Sequence, residues 1–240
     1  MTSHIVSFRP GVADARTAFE AMASTYRYLQ REHDYTFTIL TAAADSFESD
    51  PLDVRTLPDR AWRSVLPRYP LHLRRRAYRR HVDPHFAEAD LVLTVDPTAY
   101  PQGALAIDRA NRVGTPVWVD ASVTVNGDFE PLRLLKRRRE QSLLRATDRV
   151  LVTAPKVIER FRDRHLYDET VASAFSVIGH PVDTDRFHPP RDQSAASEED
   201  DSVTILAVAR LVPEKGLMYV LEALAPLFAE RPALDFRILG

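Results

Sequence analysis

The sequence predicts an α/β protein, in which a parallel, doubly wound sheet domain is followed by the opening of a second domain of the same kind. Two observations predict the first domain. Short apolar runs recur along residues 5–178, and segments of helical periodicity separate them. Strands that alternate with helices in this way join through right-handed crossovers into a parallel sheet covered on both faces, a Rossmann-like domain. The third observation predicts the break. Residues 191–202 hold no large apolar side chain and carry four consecutive carboxylates, Glu198, Glu199, Asp200 and Asp201. Such a segment is a solvated linker or loop. The expected domains are therefore 1–190 and 203–240, with an acidic linker at 191–202.

Ile5–Phe8 reads as the first strand, and Phe19, Met22, Tyr26 and Leu29 then line one helical face. Phe37–Thr41 is strand-like, as is the piece from Val54 to Leu57. Residues 60–82 read as helix interrupted by Pro67 and Pro70, because proline removes a donor and clashes with the preceding turn. Leu91–Val95 is the clearest strand, followed by a helix near Ala104–Val113 and a strand at Pro116–Val119. A helix over Pro131–Ala146, a strand at Arg149–Thr153, a helix near Lys156–Arg164 and a strand at Phe175–Ile178 complete the first domain. Beyond the linker come a strand at Val203–Val208, a helix at Leu217–Glu230 and a strand at Leu234–Leu239.

Composition narrows the class. The chain of 240 residues is 45% hydrophobic and 28% charged, the balance of a soluble globular protein. Cysteine is absent, so no disulfide, thiolate metal site or cysteine nucleophile exists, which suits a reducing compartment. No apolar run approaches the roughly 20 residues that span a bilayer, and Met1–Pro10 carries no secretory pattern. A net charge of −2 argues against a dedicated nucleic-acid binder. His81 and His85 have metal-ligand spacing, but Pro84 between them breaks the helix that would present both, so no metal is expected.

Chemistry concentrates near the end. Arg210 lies just past the carboxyl end of the Val203–Val208 strand, and Lys215 and Gly216 follow before a helix whose Val220, Leu221, Leu224 and Leu227 keep helical spacing. Pro213 cannot continue a ladder, and Gly216 permits a left-handed backbone. Two cations thus share a strand-to-helix loop at the edge where open α/β sheets bind ligands, beside a helix N-terminus that favours anions. The arrangement suits a diphosphate.

The stretch Ala209-Arg210-Leu-Val-Pro-Glu-Lys215-Gly216 resembles the Gly-Arg-Leu-x-Pro-x-Lys-Gly motif of retaining glycosyltransferases of family four, which have the two-domain GT-B fold. Val177-Ile-Gly-His-Pro-Val-Asp183-Thr-Asp-Arg-Phe187-His-Pro189 is similar to that family's hinge motif, and Ala146–Thr153 to the strand before it. The three motifs cover about the last hundred residues in the family's order. The resemblance implies transfer of a sugar from a nucleotide-diphosphate donor to an acceptor hydroxyl with retention. Arg210 and Lys215 would hold the diphosphate in place of a metal ion, with Gly216 supporting the loop. No cofactor is implied beyond the nucleotide-sugar co-substrate. The acceptor would be a saccharide or a lipid-linked group.

The sequence also departs from that family. The loop after the first strand, Arg9-Pro-Gly11-Val-Ala-Asp14, holds one glycine, so Arg9 and Gly11 are the candidates for an acceptor or phosphate loop. Relatives carry a histidine after the strand matching Pro116–Val119. This chain has Asp120-Ala-Ser122 there, which leaves the catalytic residue unknown and Asp120 as its candidate. A β-α-β of about forty residues rarely holds a core alone. The 240-residue chain is accordingly expected to be inactive by itself, and to self-associate or recruit a chain completing the second domain. The alternative is a non-catalytic, transferase-like subunit that binds a partner chain or a membrane. Two basic runs, Arg74–Arg80 and Lys136–Arg139, read either as solvated helix faces or as contacts to an anionic surface. The second reading implies a cytoplasmic protein peripheral on the inner face of the membrane.

Overall fold

Strand β1 (Ser3–Phe8) alternates Ile5 and Ser7 on one face with Val6 and Phe8 on the other, and both faces are buried. A strand apolar on both sides belongs inside a covered parallel sheet. In the computed structural model, which describes residues 2–9, 16–41, 51–57, 80–97, 101–121, 133–182, 184, 187–189, 203–231 and 233–240, β1 is central. It pairs in parallel with β2 (Tyr35–Thr41) on one side and with β4 (Leu91–Val95) on the other. β3 (Asp53–Thr56), β5 (Val117–Asp120), β6 (Arg149–Val152) and β7 (Phe175–Val177) complete seven parallel strands in the order β3-β2-β1-β4-β5-β6-β7. The order reverses between β1 and β4, the topological switch point of a doubly wound sheet.

The helices between the strands are α1 (Arg16–Glu32), α2 (Asp83–Ala87), α3 (Pro101–Val113), α4 (Arg133–Arg145), α5 (Pro155–Asp163) and α6 (Glu169–Ala172). They divide the core in two. Val6, Phe8, Leu40, Phe86, Val92, Ile107, Val119 and Val150 belong to one cluster, and Ile5, Tyr26, Phe37, Ile39 and Leu52 to the other. Phe86 of α2 meets Phe8 edge to face with ring centroids 6.0 Å apart. α5 begins at a proline, whose missing N–H would be unsatisfied there in any case, and Asp168 caps α6 by accepting from the Thr170 amide at 2.9 Å. The expected helix at 60–82 lies mostly outside the described residues. The short α6 has too few positions for a periodic pattern and was not foreseen.

Chain contacts divide the protein into Met1–Phe187 and His188–Gly240. In the second unit β8 (Val203–Val208) and β9 (Leu234–Leu239) pair in parallel over their whole length, with α7 (Leu217–Glu230) as the crossover. Ile205, Ala207, Phe236 and Ile238 are half-buried, whereas Leu206, Val208 and Leu239 on the other face are 55%, 74% and 56% exposed. One helix covers one face.

A buried ion pair ties α2 to α3. Arg109 Nε donates to Asp83 Oδ1 at 2.7 Å, and a second guanidinium nitrogen pairs with Asp83 Oδ2, with side-chain exposures of 7% and 17%. The hydrogen bond to Asp83 raises the Arg109 pKa above its ordinary value against the effect of burial. Asp83→Ala is expected to cost about 3 kcal/mol, because it strands a buried cation. Asp83→Leu combined with Arg109→Met should cost clearly less. Urea denaturation followed by circular dichroism reads both, and a loss below about 1 kcal/mol for the single variant would show that water takes over the pairing.

Candidate functional site

Parallel strands bring every carboxyl end to one edge of the sheet. In the first unit that edge collects Arg9 after β1, Asp96 after β4 and Asp120 at the end of β5. Register fixes their level. Phe8 lies beside Thr94, which sets Arg9 beside Val95, and Val95 lies beside Asp120. Arg9 and Asp120 therefore flank the same residue of β4, roughly two strand spacings or 10 Å apart along the sheet. Alternation turns both toward one face, Arg9 with Ile5 and Ser7, Asp120 with Trp118. The long arginine spans the gap, and Arg9 Nη2 donates to Asp120 Oδ2 at 2.9 Å.

Arg9 is 8% exposed, and its backbone amide still donates to the Leu40 carbonyl, so the residue is anchored at both ends. Its Nε reaches Ser7 Oγ at 3.4 Å, and Ser7 Oγ lies 2.9 Å from the Tyr26 hydroxyl of α1. Burial alone would lower the pKa of this guanidinium, but the oxygens of Tyr26 and Asp120 outweigh it and raise the pKa above its ordinary value. Asp120, at 27% side-chain exposure, is the more open member of the pair. Sequence reading singled out both residues separately and not as partners. Gly11 lies outside the described residues.

Asp96 was missed by sequence reading. It is 1% exposed and follows β4 directly, and alternation sets it with Val92 and Thr94 on the face opposite Arg9. An aspartate before a proline reads as an ordinary turn, and only its burial distinguishes it. The loop it opens is held tightly. A Cβ on Gly103 in the first turn of α3 would overlap the Val95 carbonyl and lie 3.1 Å from the Pro97 nitrogen.

The second unit presents the diphosphate candidates. The Ala209 amide extends the β8–β9 ladder by donating to the Leu239 carbonyl at 2.9 Å, and Arg210 stands next, exposed. Pro213–Lys215 forms one 3₁₀ turn, after which Gly216 takes φ +66° and opens α7. That left-handed conformation is the one glycine adopts without strain. Arg210 and Lys215 are both exposed, and neither pairs with a carboxylate among the described residues. Of the hinge motif, Asp183 lies outside the described residues, Gly179 has φ +69° and His180 is exposed. Asp148 of the third motif is structural, since its Oδ2 accepts the Val117 amide at 2.8 Å. A cleft of about 400 Å³ lined by Arg145, Asp148, Arg149 and Thr170 lies at the amino end of β6, the opposite edge. Arg145 there is already paired with Asp168 at 3.1 Å.

No protein-family model and no curated protein matches the chain. Solved structures do. A glycosyltransferase from Rickettsia africae matches 100% of this chain and 69% of its own, at 12% identity and a TM-score of 0.65. A Listeria monocytogenes protein assigned as a UDP-N-acetylglucosamine 2-epimerase matches 99% of this chain and 62% of its own, at 15% identity and a TM-score of 0.53. The kitacinnamycin glycosyltransferase matches 99% and 66%, at 14% identity and a TM-score of 0.50. The chain thus spans about two thirds of the length of these solved proteins. The likeness is one of fold: a GT-B type architecture of Rossmann-like sheets.

Gly103→Ala tests how firmly this edge is held. At an open helical position the change would stabilise by up to about 1 kcal/mol. Here the new methyl meets backbone atoms that cannot swing away, so a net loss of about 1–3 kcal/mol is expected in chemical denaturation. A gain in stability would mean that the Asp96–Pro97 turn yields freely.

Proposed function

We propose that the chain belongs to a nucleotide-sugar-dependent glycosyltransferase, retaining and similar to family four, and comprises its acceptor-side domain with the start of its donor-side domain. One observation carries the reading: Arg210 and Lys215, exposed and without carboxylate partners among the described residues, share the loop between β8 and α7 with a left-handed Gly216. Cations placed there stabilise charge on a departing diphosphate without a metal ion. On the first unit Asp120 is the group suited to accept a hydrogen bond from an acceptor hydroxyl, and Arg9 acts through it. The acceptor is a saccharide or a lipid-linked group.

The Listeria neighbour favours a second reading, an enzyme that reworks a nucleotide sugar without transferring it. Asp120, whose side chain is 27% exposed at this edge, would be the carboxylate that moves the proton. Incubation with UDP-N-acetylglucosamine separates the two. Formation of an epimer without release of UDP favours the second reading, and release of UDP only when an acceptor is supplied favours the first. A non-catalytic subunit would bind without either product.

No described helix is long and apolar enough to cross a membrane. Arg138 and Arg139 of α4 and Arg80 before α2 are exposed, while the rest of the first basic run lies outside the described residues. They support a cytoplasmic protein peripheral on an anionic inner surface, each cation contributing about 1 kcal/mol there. Binding to anionic vesicles should fall with added salt and in an Arg138→Ala, Arg139→Ala variant. Equal recovery on neutral vesicles would remove the membrane from the reading.

The diphosphate assignment has a direct test. Arg210→Ala and Lys215→Ala should each weaken UDP binding by roughly 10–100-fold in calorimetry, the scale of a lost hydrogen bond to a charged group. In the transferase reaction each should lower kcat/KM by about 10²–10³. Unchanged UDP affinity in both variants would refute the assignment.

A further inference from the structure

The Arg9–Asp120 pair does not stand alone. Ile5, Ser7 and Arg9 project from the same face of β1, toward α1, whose Ala23 and Tyr26 pack in the cluster with Ile5, and the Tyr26 hydroxyl meets Ser7. The Tyr26 ring lies flat on Phe37 of β2, with centroids 4.3 Å apart and planes 7° apart, which fixes where its hydroxyl points. That hydroxyl is 2.9 Å from Ser7 Oγ, Ser7 Oγ accepts from Arg9 Nε, and Arg9 Nη2 donates to Asp120. Tyr26, Ser7 and Arg9 are all buried, at 4%, 0% and 8% exposure, and only Asp120, with a side chain 27% exposed, opens to solvent. A polar chain of this kind, closed at the core end and open at the sheet edge, transmits orientation outward.

A tyrosine at this position is not needed for packing, since a phenylalanine would make the same stack on Phe37. What the hydroxyl adds is a hydrogen bond in a dry place, where an unpaired Ser7 or a loosened guanidinium would be costly. An arginine has five donors and many rotamers, and holding its Nε side leaves the fork aimed one way. We propose that Tyr26 is a positioning residue, which through Ser7 and Arg9 holds the Asp120 carboxylate in a single orientation at the β1/β4 switch-point edge. Arg9 is then a support for Asp120 and not itself a phosphate contact. The proposal rests on reading this edge as the acceptor side.

The test uses the full chain labelled with ¹⁵N-arginine. The Arg9 Nε–Hε signal is identified by its loss in Arg9→Lys. Tyr26→Phe keeps the aromatic stack and removes only the hydroxyl, and Ser7→Ala removes the middle of the chain. Both should speed exchange of the Arg9 Hε proton with water by about tenfold, and Ser7→Thr, which retains a hydroxyl, should restore slow exchange. Exchange within twofold of the unaltered protein in Tyr26→Phe would overturn the proposal whatever Ser7→Ala does, since a purely packing tyrosine leaves the Arg9 proton unmoved. Failure of the functional reading shows elsewhere. In uniformly ¹⁵N-labelled protein, absence of any UDP-induced shift at the Arg210 and Lys215 amides would remove the donor assignment while leaving the Arg9 result as it stands.

Discussion

Parallel pairing of β1 with β4 is the interaction on which the described site depends. Four register pairs, from Ile5 beside Leu91 to Phe8 beside Thr94, bring together segments that are 86 residues apart in sequence. Because the strands run the same way, their carboxyl ends coincide, and β5 adds its own end beside them. A shift of one residue between β1 and β4 would turn Arg9 to the other face. The polar contacts at this edge thus inherit their geometry from the apolar alternation of Ile5, Val6 and Phe8. Two core clusters, one on each face, keep that alternation from slipping.

The second unit shows the same logic with half the covering. Its two strands are in full register, and Gly216 gives the loop its turn, so the positions of Arg210 and Lys215 follow from local geometry. Its core is thin: Leu224 is the one buried hydrophobic residue among those described there, at 9% exposure, while Met218, Tyr219 and Leu211 are more than 60% exposed.

Most of the architecture was legible in the sequence where signals are sharp at both ends. Leu91–Val95, Val203–Val208, Leu217–Glu230 and Leu234–Leu239 have the bounds their apolar runs suggest. The strand read as Pro116–Val119 is displaced by one residue. Pro116 has no N–H to enter a ladder, and only its carbonyl takes part, accepting from the Val92 amide at 2.9 Å. Asp120 joins the strand because Val95 and Leu151 pair it on either side. The site was less legible. Arg9 and Asp120 are 111 residues apart, and no local pattern announces that they meet. Tyr26 was read as one residue of an apolar face, which its ring is, while the role of its hydroxyl depends on Ser7 in a different strand.

The central place of β1 also bears on how the protein is made. During synthesis the β1 segment leaves the ribosome well before β4, yet it requires a neighbour on both sides. Its β2 partner follows within some thirty residues, whereas β4 arrives 86 residues later. At roughly 5–20 residues per second that interval is on the order of 4–17 s. For all of it Val6 and Phe8 lack the strand and helices that bury them, with one edge of β1 open to other chains. Slowing translation beyond β2 would lengthen that exposure.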